Sequence, residues 1–155
     1  MEGSITEVEG AVEVSPELQG MTLSVVIPAY NEEGAVRATV QEVFDALDPT
    51  GIEYEVIVID DGSRDNTLAE AKASGAVVDA NQVNSGYGAT LKRGVKKARY
   101  EYVAIMDADG TYPARYLPGM LAMCRDQDMV VGDRGAGMKN VPLVRRPAKW
   151  VLNNF

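Results

Sequence analysis

Residues Leu23 to Glu33 read LSVVIPAYNEE. The apolar run up to Tyr30 is rich in β-branched side chains, which predicts a buried strand that Pro28 brings to its end. Beyond it, apolar side chains recur at helical spacing from Glu32 to Leu47. A strand, a short loop and a helix in this order form the first unit of an α/β fold.

Strand-like and helix-like patterns keep alternating after this unit. The predicted fold is therefore a mostly parallel central sheet flanked by helices. Further strands are predicted at Tyr54–Asp61, Ala76–Ala80, Tyr102–Asp107 and Met129–Gly132. Helices are predicted up to Ala73, up to Arg99, over Ala114–Arg125 and from Leu143 onward.

Three regions differ in composition. Residues 1–21 are acidic without a sustained apolar period, which predicts a flexible arm. Residues 22–134 hold the alternating pattern and form the predicted core. Residues 135–155 are predicted to form a loop and a basic amphipathic helix. That helix fits an interfacial helix on an anionic membrane surface, or a core helix whose basic side chains reach solvent.

Composition excludes several function classes. The chain has 155 residues and no histidine, so imidazole metal ligands and histidine bases are excluded. Its single cysteine, Cys124, has no disulfide partner, which favours a reducing compartment. The net charge of −8 argues against a nucleic-acid surface. With neither a membrane-length apolar run nor a signal peptide, we expect a cytoplasmic chain.

Acidic and amide side chains follow the predicted strands. They occur at Asn31–Glu33, at Asp60 and Asp61, and at Asp107 and Asp109. Each group alone also fits a helix cap or a turn. In open α/β sheets, however, ligands bind at the carboxyl ends of the strands, and three groups at that edge favour a ligand site.

Asp107 and Asp109 are the candidate metal ligands. They follow an apolar run, and alternation along an extended backbone places both side chains on one side. Two carboxylates so close repel each other unless a cation intervenes, and oxygen ligands suit Mg²⁺ or Mn²⁺. A substrate diphosphate would complete the coordination shell.

Residues Asn84 to Gly88 read NSGYG and precede a predicted helix. Their glycines would allow a ligand close to the backbone at a positively polarised helix start. A flexible loop or tight turn explains the same residues. Both interpretations stay open on the sequence alone.

Several blocks together resemble glycosyltransferase family 2, in order and in spacing. The closest likeness is to dolichyl- or polyprenyl-phosphate mannosyl- and glucosyltransferases. The blocks are Leu23–Glu33 (LSVVIPAYNEE), Glu55–Thr67 (EVIVIDDGSRDNT), Asn84–Gly94 (NSGYGATLKRG), Val103–Pro113 (VAIMDADGTYP) and Val130–Arg134 (VVGDR).

The resemblance implies the GT-A fold, here C-terminally incomplete, and a role for each matching position. Asp107 and Asp109 would hold the metal and the donor diphosphate, and Arg134 would neutralise phosphate charge in catalysis. Asp61 would bind the base or ribose. The implied nucleotide-binding positions are Pro28, Ala29, Tyr30, Glu32, Ile59, Asp61 and Ala108.

The implied reaction moves a hexose from a donor of the GDP-mannose or UDP-glucose type to a polyprenyl phosphate. The acceptor attacks the anomeric carbon in line and inverts its configuration. This chemistry implies a membrane surface, at its cytoplasmic face, as a partner. Thr111 departs from the family, because many of these enzymes have a glutamine there that could supply a further metal ligand.

Two alternatives use the same residues. A strand ending in D-x-D-G-T resembles the first motif of haloacid-dehalogenase phosphatases, with Asp107 as nucleophile and Asp109 as acid and base. That alternative leaves the YNEE and DDGS blocks without explanation. The other alternative is a nucleotide-binding fragment that transfers nothing.

Overall fold

A computed structural model describes residues 14–132 of the chain, and within them the predicted α/β fold is confirmed. Four parallel strands form one sheet in the order β3-β2-β1-β4. The strands are β1 (Thr22–Ala29), β2 (Glu53–Asp60), β3 (Val77–Ala80) and β4 (Tyr102–Ile105). The α-helices are α1 (Val36–Leu47), α2 (Thr67–Lys72), α3 (Tyr87–Lys97) and α4 (Leu117–Met123). Short 3-10 helices lie at Pro16–Leu18, Asp48–Thr50 and Ala114–Tyr116.

Helices cover both faces of β1, which explains why its sequence is an uninterrupted apolar run. Val25 and Ile27 belong to the core cluster that α1 and α4 complete. Val26, on the other face, lies under Gly94 of α3. All three strand side chains are fully buried.

Pro28 lies inside β1, opposite Ile59 of β2, and does not end the strand. The carbonyl of Val26 accepts a hydrogen bond from the Met106 amide, on the β4 side. Residues two apart in a strand point the same way, so the nitrogen of Pro28 also faces that side. Since pairing with β4 stops at Ile105, the missing N–H of Pro28 breaks no ladder bond.

Packing begins before the predicted boundary at Thr22. Leu18 and Met21 are buried in the core. Arg125, after α4, donates hydrogen bonds to the carbonyls of Glu17 and Gln19. The part of the predicted arm that the structure describes is therefore fastened to the domain, and residues 1–13 lie outside the described range.

The start of α1 and the last predicted strand differ in the structure. α1 begins at Val36, since the amides of Ala35 and Val36 both donate to the Glu32 carbonyl in a turn that precedes the helix. The predicted strand Met129–Gly132 is wrong, because these residues are in neither a strand nor a helix. Met129 and Val131 are 77% and 75% exposed, Val130 is partly buried, and no strand within residues 14–132 pairs with the outer edge of β4.

The predicted helix from Leu143 and the basic segment around it lie outside the described residues. Across residues 14–132, none of the helices combines the length and the hydropathy that crossing a bilayer requires.

Glu55 joins β2 to its neighbours at the amino end of the sheet. Its carboxylate accepts hydrogen bonds from the Ser24 hydroxyl of β1 (2.7 Å) and from the Arg99 amide (2.8 Å) and Nε (2.8 Å). Burial alone raises the pKa of Glu55, but these hydrogen bonds outweigh it and the pKa is lowered. The ionised carboxylate therefore links β1, β2 and the segment that leads into β4.

Replacing Gly94 by alanine should destabilise the fold although alanine is the better helix former. A Cβ at this position would lie 2.3 Å from Val26 Cγ1 and 3.2 Å from Ile59 Cγ1, so α3 would have to move off the sheet. We expect a loss of about 1–3 kcal/mol in the free energy of unfolding. Urea denaturation measures it.

Gly88→Ala, in the same helix, is the matched control, because a Cβ there meets nothing within 4 Å. It should be neutral or stabilise by up to about 1 kcal/mol. Equal effects of the two substitutions would contradict the close packing of α3.

Glu55→Gln should cost about 1–2 kcal/mol at pH 7, because charge-assisted hydrogen bonds are lost while the Arg99 end of the ion pair stays solvent-exposed. The lowered pKa makes this stabilisation fully present above the ordinary value of 4.5, and it disappears as the pH falls through the folded-state value. The gap between wild type and variant, measured by thermal unfolding, should narrow in acid. Glu53→Gln, exposed on the same strand, should leave stability unchanged.

Candidate functional site

The loops after β1, β2 and β4 meet the start of α3 around one cavity of about 350 Å³. That volume lies in the range of small-molecule sites. The cavity collects most of the predicted site residues. It is lined by Pro28, Ala29, Tyr30, Glu32, Asp61, Asn84, Gly86, Tyr87, Thr90, Asp107, Ala108 and Asp109.

The loop after β1 is held by the loop after β2. Asn31 adopts a positive φ of 53°, and its side-chain oxygen accepts a hydrogen bond from the Arg64 amide (2.9 Å). In return, the Asn31 amide donates to Ser63 Oγ (2.9 Å), and the Glu32 amide donates to Thr67 Oγ1 (2.7 Å). These bonds place Tyr30 and Glu32 at the mouth of the cavity.

Acidic side chains also join the loop after β1 to residues 65–70. The Glu33 amide donates to Asp65 (3.2 Å), and the Gly34 amide donates to Glu70 (2.8 Å). Glu33 in turn accepts from the Asn66 side chain (2.7 Å). These carboxylates accept bonds from backbone amides and neighbouring side chains, as turn-forming residues do. They do not line the cavity.

Asp61 faces the cavity and is 4% exposed. It accepts hydrogen bonds from Asn81 Nδ2 (2.7 Å) and from the amides of Ser85 (2.8 Å) and Gly86 (2.9 Å). Burial raises the pKa of Asp61, but these bonds outweigh it and leave the pKa below its usual range. Asp61 is therefore a fixed anion at neutral pH.

The hydrogen bonds to Asp61 define the role of the NSGYG segment. The amides of Ser85 and Gly86 hold the Asp61 carboxylate, so they are not available to a phosphate. The segment is an ordered loop that brings Asn84, Gly86 and Tyr87 to the cavity wall. These positions were not among the predicted site residues. The spacing of the motif was the only signal for them.

Asp107 and Asp109 line the cavity together, but not by the predicted route. β4 ends at Ile105, so both acids lie beyond the paired strand, and Asp109 lies in the turn that starts at Ala108. Tyr87 donates its hydroxyl to Asp107 Oδ1 (3.3 Å). Thr111 donates both its amide (2.9 Å) and its hydroxyl (2.6 Å) to Asp109 Oδ1. Thr111 thus orients Asp109. The turn after β4 brings both aspartates to the same cavity.

The pKa of Glu32 responds to the negative charges of Asp107 and Asp109. Its pKa is raised by burial first and then by the charges of Asp109, Asp107 and Asp65. Negative charge therefore accumulates at the cavity, which favours a cation.

The carboxylate oxygens of Asp107 and Asp109 fit Mg²⁺ or Mn²⁺, which prefer oxygen ligands and commonly take only one or two carboxylates beside substrate phosphates. Each acid keeps one carboxylate oxygen outside the bonds described above. Within residues 14–132, no group of three or more His, Cys, Asp or Glu side chains forms a metal site. The side chains of this part of the chain alone would leave the shell incomplete.

Of the remaining predicted positions, Ala108 lines the cavity and Ile59 does not. Ile59 is fully buried against α3 and does not line the cavity. The carbonyl of Ala108 accepts a hydrogen bond from Thr39 Oγ1 of α1 (3.1 Å), which fixes the turn between the two acids. Arg134 lies outside the described residues.

The family model of glycosyl transferase family 2 matches residues 24–154. The chain belongs to glycosyl transferase family 2. This match covers the YNEE and DDGS blocks, which sets the phosphatase alternative aside.

Individual relatives agree with the family. The chain is 39% identical over 118 residues to the low-salt glycan biosynthesis hexosyltransferase of Haloferax volcanii, covering 75% of the chain and 28% of that protein. It is 30% identical over 136 residues to the dolichol-phosphate mannosyltransferase of Pyrococcus furiosus, covering 81% and 38%. The chain therefore spans less than half the length of these relatives.

A solved structure confirms the GT-A fold. Glucosyl-3-phosphoglycerate synthase from Mycobacterium tuberculosis, in complex with Mn²⁺, UDP-glucose and phosphoglyceric acid, superposes with a TM-score of 0.64 at 27% identity. The match covers 89% of this chain and 52% of that one.

Gly62→Ala should displace the loop that carries the cavity wall. Gly62 has a φ of +71°, and a Cβ there would lie 2.8 Å from the Val83 carbonyl carbon and 2.9 Å from the Asn84 nitrogen. Both obstacles are backbone, so the loop must shift. We expect NMR shift changes across residues 83–88 and a stability loss of about 1–3 kcal/mol beyond the strain of the positive φ.

Gly34→Ala separates the two effects. Gly34 shares the positive φ (+83°), but a Cβ there meets nothing within 4 Å. It should therefore lose stability from backbone strain alone and leave the amide signals of residues 83–88 in place. A loop equally perturbed by both variants would contradict the close approach at Gly62.

Proposed function

We propose that this chain forms the nucleotide-sugar-binding part of a glycosyltransferase that moves a hexose to a polyprenyl phosphate. The observation that carries the proposal is one cavity lined by eight of the predicted nucleotide and metal positions. Residues 22–134 make up this proposed part, and residues 135–155 lead toward the acceptor and the membrane.

The cavity lining holds acidic side chains in two different chemical settings. Asp61, held as an anion in the cavity that Pro28 and Tyr30 also line, would accept hydrogen bonds from the base or ribose of the donor. Asp107 and Asp109 would hold the diphosphate through a divalent cation. A donor of the GDP-mannose or UDP-glucose type offers a partner for both. The relatives' names support a mannose and a glucose donor, because one is a mannosyltransferase and the other a synthase bound to UDP-glucose.

A bound Mg²⁺ or Mn²⁺ would supply Lewis-acid stabilisation of the negative charge that develops on the leaving diphosphate. The role of this chain's own residues is to orient the carboxylates that would hold this cation. Tyr87 and Thr111 hold one oxygen of each aspartate, so the other oxygen of each is presented in a defined direction. Arg134 is proposed to neutralise the same charge from beyond the described residues.

The acceptor chemistry suits a chain without histidine. A polyprenyl phosphate, with a second pKa near about 6, is largely ionised at neutral pH and needs no strong base. Its oxygen would form a bond to the anomeric carbon as the bond to the diphosphate breaks, which inverts the configuration. Because such an acceptor is lipid-linked, we place the reaction at the cytoplasmic face of a membrane.

A second candidate is a chain that binds the nucleotide sugar without transferring the hexose. The coverage of 28% and 38% of two relatives supports it, because more than half of each of those proteins is not matched by this chain. Hexose transfer to a short polyprenyl phosphate separates the candidates, since only the first predicts a lipid-linked product.

Asp109→Ala should remove metal-dependent donor binding. Calorimetric titration of UDP-glucose and GDP-mannose into the chain should show binding that requires Mn²⁺, because two carboxylates and the diphosphate share the cation. We expect the dissociation constant to rise at least about tenfold in the variant, as is usual when a charge-paired ligand is lost.

Asp126→Ala, an exposed acid after α4, controls for the loss of one negative charge and should bind like wild type. Nucleotide-sugar binding that needs no metal and survives Asp109→Ala would refute the proposed site.

A further inference from the structure

We propose that Asn81 is a positioning residue that holds Asp61, and with it the loop 84–88, in the orientation that receives the nucleoside. The inference rests on the proposed donor site, and it adds a residue that lies outside the cavity lining. Its basis is a continuous chain of polar contacts from the edge strand β3 to the cavity.

Asn81 uses both ends of its side-chain amide. Nδ2 donates to Asp61 Oδ1 (2.7 Å) and to Thr90 Oγ1 (3.2 Å). Oδ1 accepts from Arg93 Nη1 (2.7 Å). A carboxylate on one side requires a donor and a guanidinium on the other requires an acceptor, so only one orientation of the amide satisfies both.

Arg93 is itself fixed from β3. It pairs with Asp79 through Nε (2.8 Å) and Nη2 (2.7 Å), and Lys97 lies 3.0 Å from the same carboxylate. The hydrogen bonds from Arg93 hold the pKa of Asp79 well below its usual range, so the pair stays charged at neutral pH. A bidentate pair of this kind restricts the guanidinium in direction as well as distance.

The backbone places Asn81 at the same edge of the sheet as Asp61. Its amide donates to the Asp60 carbonyl (2.8 Å), one residue beyond the last paired position of β3. The side chain therefore starts from the same sheet edge as Asp61. With Asn81 and the Ser85 amide on Oδ1 and the Gly86 amide on Oδ2, the Asp61 carboxylate cannot rotate, and the acceptor capacity left on Oδ2 keeps a defined direction.

The test uses Asn81→Asp. This near-isosteric change keeps an acceptor for Arg93 but removes both donors and places a second carboxylate beside Asp61. With Mn²⁺ present, the dissociation constants of UDP and GDP should rise by about tenfold for whichever nucleotide the wild-type chain binds. Binding of Mn²⁺ with inorganic pyrophosphate should stay within about twofold, because Thr111 holds Asp109 and the loop reaches Asp107 only through the long hydrogen bond from Tyr87 (3.3 Å).

Two further variants complete the design. Lys97→Met removes the other partner of Asp79 without touching Asn81, and it should bind nucleotide and pyrophosphate like wild type. Arg93→Gln frees the amide of Asn81 to turn over, and it should show the same selective nucleotide loss, smaller at about threefold. Arg93→Gln also tests the role of Asn81 if Asn81→Asp fails to fold.

The outcomes separate the two proposals. Nucleotide binding unchanged in Asn81→Asp, or pyrophosphate binding lost in parallel, overturns the role of Asn81 while leaving the donor site intact. A wild-type chain that binds pyrophosphate with Mn²⁺ but no nucleotide overturns the proposed nucleoside site and the role of Asn81 together. A selective loss of nucleotide binding in Asn81→Asp and Arg93→Gln, but not in Lys97→Met, supports the role of Asn81.

Discussion

β1 pairs in parallel with β2 along its whole length and with β4 along Leu23–Val26. Because parallel strands end at one edge, this pairing alone collects the acids that follow the three strands, which are separated by tens of residues in sequence. The cost is electrostatic. Several carboxylates in one cavity repel one another, and the raised pKa of Glu32 registers that repulsion. Each acid must therefore be compensated by the protein or by a ligand.

The compensation differs among the acids of the cavity. Asp61 is satisfied by amide donors, and its pKa is lowered although burial opposes this. Asp107 and Asp109 receive donors on one oxygen each, from a tyrosine hydroxyl and from a threonine. In the proposed function, the first arrangement would accept hydrogen bonds from a neutral nucleoside. The second would leave charge available for a cation, so the acids would serve different parts of one donor molecule.

The sequence was sufficient for the fold and for most of the cavity, since both follow from periodicity and from acids at strand ends. It was insufficient where tertiary contacts decide. Met129–Gly132 carries a strand-like pattern but has no pairing partner within the described residues, and propensity alone does not make a strand. Ile59 matches a family position, yet α3 covers its side chain. Asn81 has no motif of its own, because its role depends on Arg93, twelve residues further along the chain.

Charge balance sets the remaining condition on function. A chain of net charge −8 that accepts a diphosphate at an acidic cavity must obtain positive charge from elsewhere. Arg93 is already committed to Asp79 and Arg99 to Glu55, so neither is free for a phosphate. Among residues 14–132, no lysine or arginine lines the cavity, so the sources that we propose are a divalent cation at Asp107 and Asp109 and the basic stretch that begins at Arg134. In the proposed reaction both would act on the departing diphosphate, so an acidic body and a basic end would serve one binding site.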